Sequence, residues 1–378
     1  MRRGFWAHAV LNEYLNKTPS GLTKYLLWAA IALIPEKDCE PMYPSYTLVN
    51  EAVNATSLDK NMVYAKGLVN AILRRVLRSE NIYAEISEIE NPSYPEWWIR
   101  KLKFAYPQSY LDILASSRQK PPLTIRVNQR YVDASSYKEQ LSELNIECNP
   151  FPAIAGIKLP NALEIKNPIP VSQLPKFLEG SCSVQDAGAQ LAAYLLKPKA
   201  GDCVLDACAA PGGKSAQLLE QFDIQLDSLE IDAQRAKRID ENFTRLHLEN
   251  GRVLLGDAAD VTVWGAGKQY DAILADVPCS ASGIVRRHPD IPYLRQEADI
   301  QKLQITQKKI LTALWALLKP SGRLLYVTCS VFPDEGEVQA RWCESKLPGA
   351  IRLEAPGQLL PSIHHDGFFY ALFEKNAD

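Results

Sequence analysis

The sequence predicts an α/β protein built on a doubly wound parallel sheet, preceded by a smaller α+β module and an all-helical stretch. Three observations predict it. From about residue 181, short apolar runs of strand length alternate with helical patterns, the rhythm of a parallel sheet joined by crossover helices. The first of these runs passes into a Gly-rich turn that opens a helix, where doubly wound folds bind ligands. Residues 1 to about 88, by contrast, show no period-2 alternation.

The 378 residues are enough for two or three domains at about 100 to 200 residues each, every one able to bury its own core. Hydrophobic residues make up 47% and charged residues 23%, the balance of an ordinary globular protein, and no apolar run approaches the ~20 residues of a bilayer span. The longest, Leu26 to Pro35, is flanked by Lys24 and Glu36 and is followed by no small-residue cleavage site, so neither a membrane association nor a secretory signal is expected. A cytoplasmic location follows, with reduced thiols. The formal charge of -2 is an average: residues 1–130 carry 17 Lys and Arg against 12 Asp and Glu, and the remainder 25 against 32. A mildly basic front can face an acidic polymer or can simply be solvated helix surface.

Taken in order, Leu22–Leu33 is an apolar segment of helical length, interrupted by Pro35, Pro41 and Pro44; Tyr46–Ala55 and Tyr64–Leu77 resume an amphipathic pattern. Arg74, Arg75 and Arg78 lie on the last of these helices. The acidic run Glu80–Glu90, closed by Asn91 and Pro92, reads as a linker. Tyr94–Tyr110 is aromatic-rich and helical in pattern, and Leu123–Asn128 alternates as a strand with Arg126 on its polar face. Residues 132–144 resemble a helix, and short strands are expected near Ile146, Ile157 and Leu163, so residues 92–180 form the α+β module. Beyond 181, strands are expected at Cys203–Ala207, Leu226–Glu230, Arg252–Leu255, Ala272–Ala275 and Leu324–Val327. Helices are expected at Lys214–Gln221, Ala233–Leu246 and Glu297–Leu318, the last closed by Lys319, Pro320, Ser321 and Gly322.

The first strand of this region runs into Asp206-Ala207-Cys208-Ala209-Ala210-Pro211-Gly212-Gly213-Lys214-Ser215. Glycines let the backbone turn tightly beside a ligand, and the helix N-terminus offers unpaired N–H groups. The order fits neither a P-loop nor the G-x-G-x-x-G fingerprint. Glu230, at the end of the second strand, stands 18 residues after Gly212, close to the spacing at which a carboxylate binds a ribose diol. Asp257 and Asp276 end the next two strands. Three strand-end carboxylates in series suit an adenosyl group bearing a positive sulfonium better than phosphates, although Asp at such positions also serves as a turn or cap residue.

Eight cysteines occur, without a C-x-x-C pair and without histidines at zinc-ligand spacing, so no metal is expected. Most should fill the core. Cys279, in Asp276-Val277-Pro278-Cys279-Ser280, and Cys329, in Thr328-Cys329-Ser330, follow successive strands of the expected sheet. If those strands are adjacent, both thiols reach one substrate ring, with Arg286, Arg287 or the sulfonium lowering a thiol pKa. Packing cysteines or a redox disulfide are the competing readings. Two thiols answer a chemical problem: carbon 5 of a pyrimidine is a poor nucleophile until a thiolate adds at carbon 6, and the added sulfur must afterwards leave. An acid such as Asp276 near nitrogen 3 would stabilise charge during addition, and the base must be unstacked to reach the pocket.

Asp206–Ser215, Asp276–Ser280, Arg286-Arg287-His288-Pro289-Asp290 and Thr328–Ser330 resemble the motif series of the RsmB/Sun family of S-adenosylmethionine-dependent RNA cytosine-5 methyltransferases, and Asp366-Gly367-Phe368-Phe369 resembles its closing hairpin. The resemblance implies a Rossmann-like methyltransferase domain over 181–378, a ferredoxin or RRM-like module over 92–180, and a NusB-like RNA-binding domain over 1–88 that begins partway through, short of its first helices. It implies Cys329 as nucleophile, Cys279 as the residue assisting product release, and a cofactor site of Cys208, Ala209, Ala210, Pro211, Gly212, Gly213, Lys214, Glu230, Asp257 and Asp276. The implied substrate is a cytosine of 16S ribosomal RNA, and the expected form is a monomer. Val277 stands where the family has Ala, an expected packing adjustment. The same chemistry on transfer RNA or another ribosomal position, or a non-catalytic RNA-binding assembly factor, are the alternatives; methylation of an adenine amino group is disfavoured by Asp276-Val277-Pro278-Cys279. His288-Pro289-Asp290 is either a substrate loop or a structural turn.

Overall fold

The computed structural model describes residues 3–15, 19–35, 41–79, 94–151 and 153–377. The expected linker, residues 80–92, lies outside them, as does Cys39. The chain divides into two compact units, Met1–Lys101 and Leu102–Asp378.

In the first unit the helices Gly4–Tyr14, Leu22–Ala32, Ser45–Ala55 and Lys66–Arg78 enclose one apolar core that includes Trp6, Leu11, Leu27, Ile31, Val49, Val69 and Leu73. The last helix shows why the pattern folds this way: Val69, Ile72, Leu73 and Val76 fall on one face and are buried, while Lys66, Arg74, Arg75 and Arg78 are left exposed on the other.

The second unit begins with the α+β module. Strands β1 (Leu123–Val127), β2 (Cys148–Pro150), β3 (Ala162–Ile165) and β4 (Cys182–Val184) form an antiparallel sheet in the order β2-β3-β1-β4. The helix Ala134–Glu143 lays Tyr137 and Leu141 onto it, and Asp133 caps that helix by accepting from the Ser136 N–H. Near Ile157 the backbone makes an isolated bridge to Ile154 in place of a strand. Arg126 departs from expectation. Its alternation puts it on the polar face of β1, but that face packs inward, and the guanidinium is 1% exposed.

The remaining strands are β5 (Cys203–Asp206), β6 (Gln225–Glu230), β7 (Gly251–Leu255), β8 (Tyr270–Asp276), β9 (Leu318–Thr328), β10 (Ala350–Leu359) and β11 (Phe368–Lys375), in the order β10-β11-β9-β8-β5-β6-β7. β5 to β9 are parallel neighbours, the doubly wound parallel sheet the sequence predicts, and β11 and β10 add an antiparallel hairpin at one edge. Successive side chains alternate between two apolar layers. Val204, Leu274 and Val327 face the helices Ala187–Leu196, Gly213–Gln221 and Ala233–Arg245, while Leu205, Ile273 and Tyr326 face Glu297–Ala316 and Glu337–Lys346. The helix before β9 ends at Ala316, and Lys319 to Gly322, expected as a turn, lies within the strand. No helix among the described residues is long and apolar enough to cross a membrane.

Candidate active site

The carboxyl ends of β5, β6, β8 and β9 converge on one site because the order in which the chain adds its parallel strands reverses between β5 and β8. The turn after β5 is held by its neighbours: Ala207 N–H donates to Leu274 O (2.9 Å), Ala209 N–H to Leu229 O (2.9 Å), and Gly212 N–H to Ala209 O (2.7 Å). Gly212 has φ +96°, and a Cβ there would meet Ile239 at 3.2 Å, so both conformation and space call for glycine.

Glu230, 3% exposed, accepts the N–H groups of Ala210 (3.3 Å), Ile231 (3.0 Å) and Asp232 (3.1 Å). Asp257 stands apart: it lies two residues beyond Leu255, the register partner of Glu230, is exposed, and accepts from Ala259 N–H at 2.8 Å. Lys214 reaches from the loop helix to Asp276 at the end of β8, Nζ to Oδ2 2.5 Å. Burial opposes the Lys214 charge, but Asp276, Asp206 and the Cys329 sulfur outweigh it and leave the ammonium above the ordinary lysine value. Asp206, absent from the expected site, accepts from Ser215 Oγ at 2.6 Å, and burial pushes its carboxyl up to about 7. Its Oδ1 is buried and finds no hydrogen-bond partner among the described residues. An acceptor oriented this way, beside Glu230 and Asp276, fits a ligand that carries an ammonium group and hydroxyls.

β8 and β9 are adjacent, with Asp276 opposite Val327, which is the condition on which the paired thiols depended. Cys279 Sγ and Cys329 Sγ are 3.4 Å apart, half-buried and unbridged. The hydrogen bond to Cys329, followed by burial, pushes the Cys279 thiol well above its usual value. Arg286 and Arg287, expected to supply positive charge here, are committed elsewhere. Arg286 binds Asp366, and Arg287 binds both Asp366 and Asp186 (2.8 Å to the latter), so their charge is neutralised by carboxylates distant in sequence. The ammonium that acts electrostatically on Cys329 is that of Lys214. Cys148, Cys182 and Cys343 are buried core residues. Val277 is 3% exposed within the layer facing Glu297–Ala316, the packing role expected of it. His288 and Asp290 make backbone turn bonds, His288 O to Ile291 N–H and Asp290 O to Tyr293 N–H. No group of three or more metal-ligating side chains occurs among the described residues.

Two glycines close the thiol loops against the C-terminal hairpin. Gly283 N–H donates to Cys329 O and Gly367 N–H to Gly283 O, each at 2.9 Å, and a Cβ on Gly283 would lie 2.4 Å from Gly367 O. Because the clash is with backbone, Gly283→Ala should lower stability by about 1–3 kcal/mol and displace both cysteines. Unchanged thermal unfolding and unchanged thiol reactivity would show that the seam has slack.

Comparison with known proteins places this geometry. Residues 193–374 match the family model described as 16S rRNA methyltransferase RsmB/F, and residues 94–172 match the RsmF/B-like ferredoxin-like domain. The chain is 41% identical to ribosomal RNA small subunit methyltransferase B of Pasteurella multocida, over 88% of this chain and 76% of that protein. The chain belongs to the ribosomal RNA small subunit methyltransferase B family. The probable family member of Coxiella burnetii is 40% identical over 88% of this chain and 80% of its own length. Among solved structures, PH0851 superposes with a TM-score of 0.81 at 25% identity, covering 99% of this chain and 88% of its own. Membership makes the chain a methyltransferase acting on ribosomal RNA, with S-adenosylmethionine as methyl donor.

The sequence pattern gave no role to Asp186, Asp206 or Glu335, and placed Asp366 only in the closing hairpin. Asp186 caps the helix Ala187–Leu196, its Oδ1 accepting from Gly188 N–H at 2.8 Å. Glu335 sits in Pro-Asp-Glu-Gly, the composition of a solvated turn, and only its burial betrays it.

Proposed function

We propose that this protein methylates carbon 5 of a cytosine in 16S ribosomal RNA through a covalent adduct to Cys329. The observation that carries this reading is the 3.4 Å pair of free thiols beside the Lys214–Asp276 ion pair at the ends of adjacent strands. S-adenosylmethionine supplies a methyl group on a positive sulfonium. The loop Cys208–Lys214 with Asp206, Glu230, Asp257 and Asp276 holds the donor, the carboxylates answering its ammonium and hydroxyl groups. Cys329 sulfur adds to carbon 6 of an unstacked cytosine, and the electron pair released onto carbon 5 forms the new bond to the methyl carbon. Asp276 and the Lys214 ammonium it holds stand beside the thiols, where they stabilise charge developing at nitrogen 3 during addition. Cys279, beside the departing sulfur, then takes the carbon 5 proton as base, and the electron pair of the broken C–H bond restores the ring double bond and expels the Cys329 sulfur.

The test is trapping. With 16S ribosomal RNA and donor present, Cys279→Ala should accumulate a protein–RNA species that survives denaturing electrophoresis, and the Cys279→Ala/Cys329→Ala chain should form none. Methyl groups mapped to any atom other than cytosine carbon 5 would overturn the reading.

A further inference from the structure

We infer that Glu335 is a positioning residue that fixes the spacing of the two thiol loops by the reach of its side chain, so that Cys279 and Cys329 meet one substrate ring together. The inference rests on the reading of the two thiols as partners in one reaction.

Strand pairing ends before the thiols do. The backbone bond that continues the β8–β9 ladder furthest toward them runs from Val277 N–H to Val327 O (3.2 Å), and each cysteine lies two residues beyond it. Residues 277–281 have no regular secondary structure, so Cys279 is placed by whatever its loop bonds to.

Glu335 supplies that tie. It ends the short 3-10 turn Pro333–Glu335, is fully buried, and is anchored to β9 through its own carbonyl, which accepts from the hydroxyls of Tyr326 (2.6 Å) and Thr328 (3.3 Å). From this anchored backbone, Oε1 accepts from the N–H of Ser280 (2.8 Å), the residue after Cys279, and Oε2 accepts from the hydroxyl of Ser330 (2.7 Å), the residue after Cys329. Gln307 Nε2 donates both to Oε1 (3.2 Å) and to Pro278 O (3.0 Å), the residue before Cys279. One carboxyl group thus reaches both loops, and the sulfurs they carry stand 3.4 Å apart.

Three buried hydroxyls reinforce the link. Ser280 Oγ donates to Ser282 Oγ (3.0 Å), and Ser282 Oγ lies 2.9 Å from Ser330 Oγ. Because Ser330 gives its hydrogen to Oε2, Ser282 donates to Ser330, and the chain of hydroxyls ends on Glu335. The backbone N–H groups of Val331 (2.9 Å) and Phe332 (3.0 Å) fill the remaining acceptor positions of Ser282 and Ser330. A buried polar group without a partner is costly, so this network holds the loops in one arrangement.

Reach is the property that matters. Aspartate, one methylene shorter on the same backbone anchor, cannot bond both Ser280 N–H and Ser330 Oγ. Glutamine can: its oxygen accepts from Ser280 and Gln307, its N–H donates to Ser330 Oγ, and the hydroxyl chain reverses direction. The reaction requires one sulfur at carbon 6 and the other at the neighbouring carbon 5, and a displacement of about 1 Å in such a pair can cost about 100-fold in rate.

The experiment uses the full chain and dibromobimane, which alkylates two thiols in succession, without RNA or donor. Peptide mass spectrometry compares the internal Cys279–Cys329 bridge with single adducts at either cysteine, and calorimetry with S-adenosylmethionine counts the folded, competent chain. Wild type should give the bridge as its main product. Glu335→Asp should lower the ratio of bridged to single adducts by about 5-fold or more, whereas Glu335→Gln should stay within about 2-fold of wild type. In methylation, Glu335→Asp should lower kcat per competent chain by about 10-fold to 100-fold with KM for RNA within about 2-fold. A loss of stability alone would reduce the amount of competent chain and move neither the ratio nor this kcat. Should Glu335→Asp fail to fold, Ser330→Ala removes one arm of the link and should lower the bridging ratio by about 3-fold. Wild-type bridging in folded Glu335→Asp, a fall in Glu335→Gln as deep as in Glu335→Asp, or wild-type bridging in Ser330→Ala would each overturn the inference. If instead the bridging follows expectation while Cys329→Ala keeps methylating, the cytosine-5 reading fails and the role of Glu335 in spacing the loops stands.

Discussion

Replacing Cys329 by alanine should reduce methyl transfer to RNA by about 1,000-fold or more while leaving the fold and donor binding intact. The expectation follows from position. Cys329 is the first residue beyond β9, half-buried, with its backbone oxygen held by Gly283 N–H and its sulfur 3.4 Å from that of Cys279. Removing one sulfur atom from such a place leaves the backbone bonds of the seam untouched and costs the fold about 1 kcal/mol or less. What it removes is the only addition chemistry at carbon 6 that the proposed route contains. Donor binding by calorimetry should therefore match wild type while single-turnover methylation disappears. A variant that transfers methyl groups at the wild-type rate would end the covalent mechanism outright.

Arg126→Met should destabilise the second unit by about 3–5 kcal/mol, the usual cost of leaving a buried charge without its partner. Arg126 donates from Nε and Nη2 to the two oxygens of Glu220 (2.7 and 2.8 Å) and from Nη1 to Gly213 O (2.9 Å), and both partners of the ion pair are 1% exposed. It thereby joins strand β1 of the α+β module to both ends of the helix Gly213–Gln221, whose first residues close the Gly-rich turn after β5. Urea unfolding of Arg126→Met and of Arg126→Met/Glu220→Met separates the terms. The double variant should recover most of the loss, since the desolvated carboxylate is then gone. A single variant within about 0.5 kcal/mol of wild type would show that the pair contributes nothing net.

How much of this was legible in advance varies with the range of the interaction. The strands β5 to β9 were readable because each is a short apolar run bounded by turn residues, and parallel strands buried on both faces have no other appearance. The Gly-rich turn after β5 was readable because its glycines and the helix that follows are contiguous. The adjacency of Cys279 and Cys329 was a conditional statement, which became a fact only when β8 and β9 paired. Arg286 and Arg287 show the opposite case. Two arginines near a reactive cysteine in sequence invite an electrostatic role, yet Asp366 and Asp186 arrive from about 80 and 100 residues away to neutralise them. Arg126 was misread for the same reason: alternation gives the side of the strand but not what covers that side.

The class of fold, the succession of strands and helices from β5 to β9, the Gly-rich turn after β5 and the two thiols worth pairing were all legible in the chain before folding. These are local or near-local properties, set by periodicity and by the backbone freedom of particular residues. Which charges stay at the site was settled when distant segments packed together. Lys214 pairs with Asp276 beside the thiols, the two arginines pair with Asp366 and Asp186, and the buried Glu335 carboxyl bonds to both thiol loops. The physical reason is that a charge acts through its distance, its burial and its partners, and all three are set when segments far apart in the chain pack together.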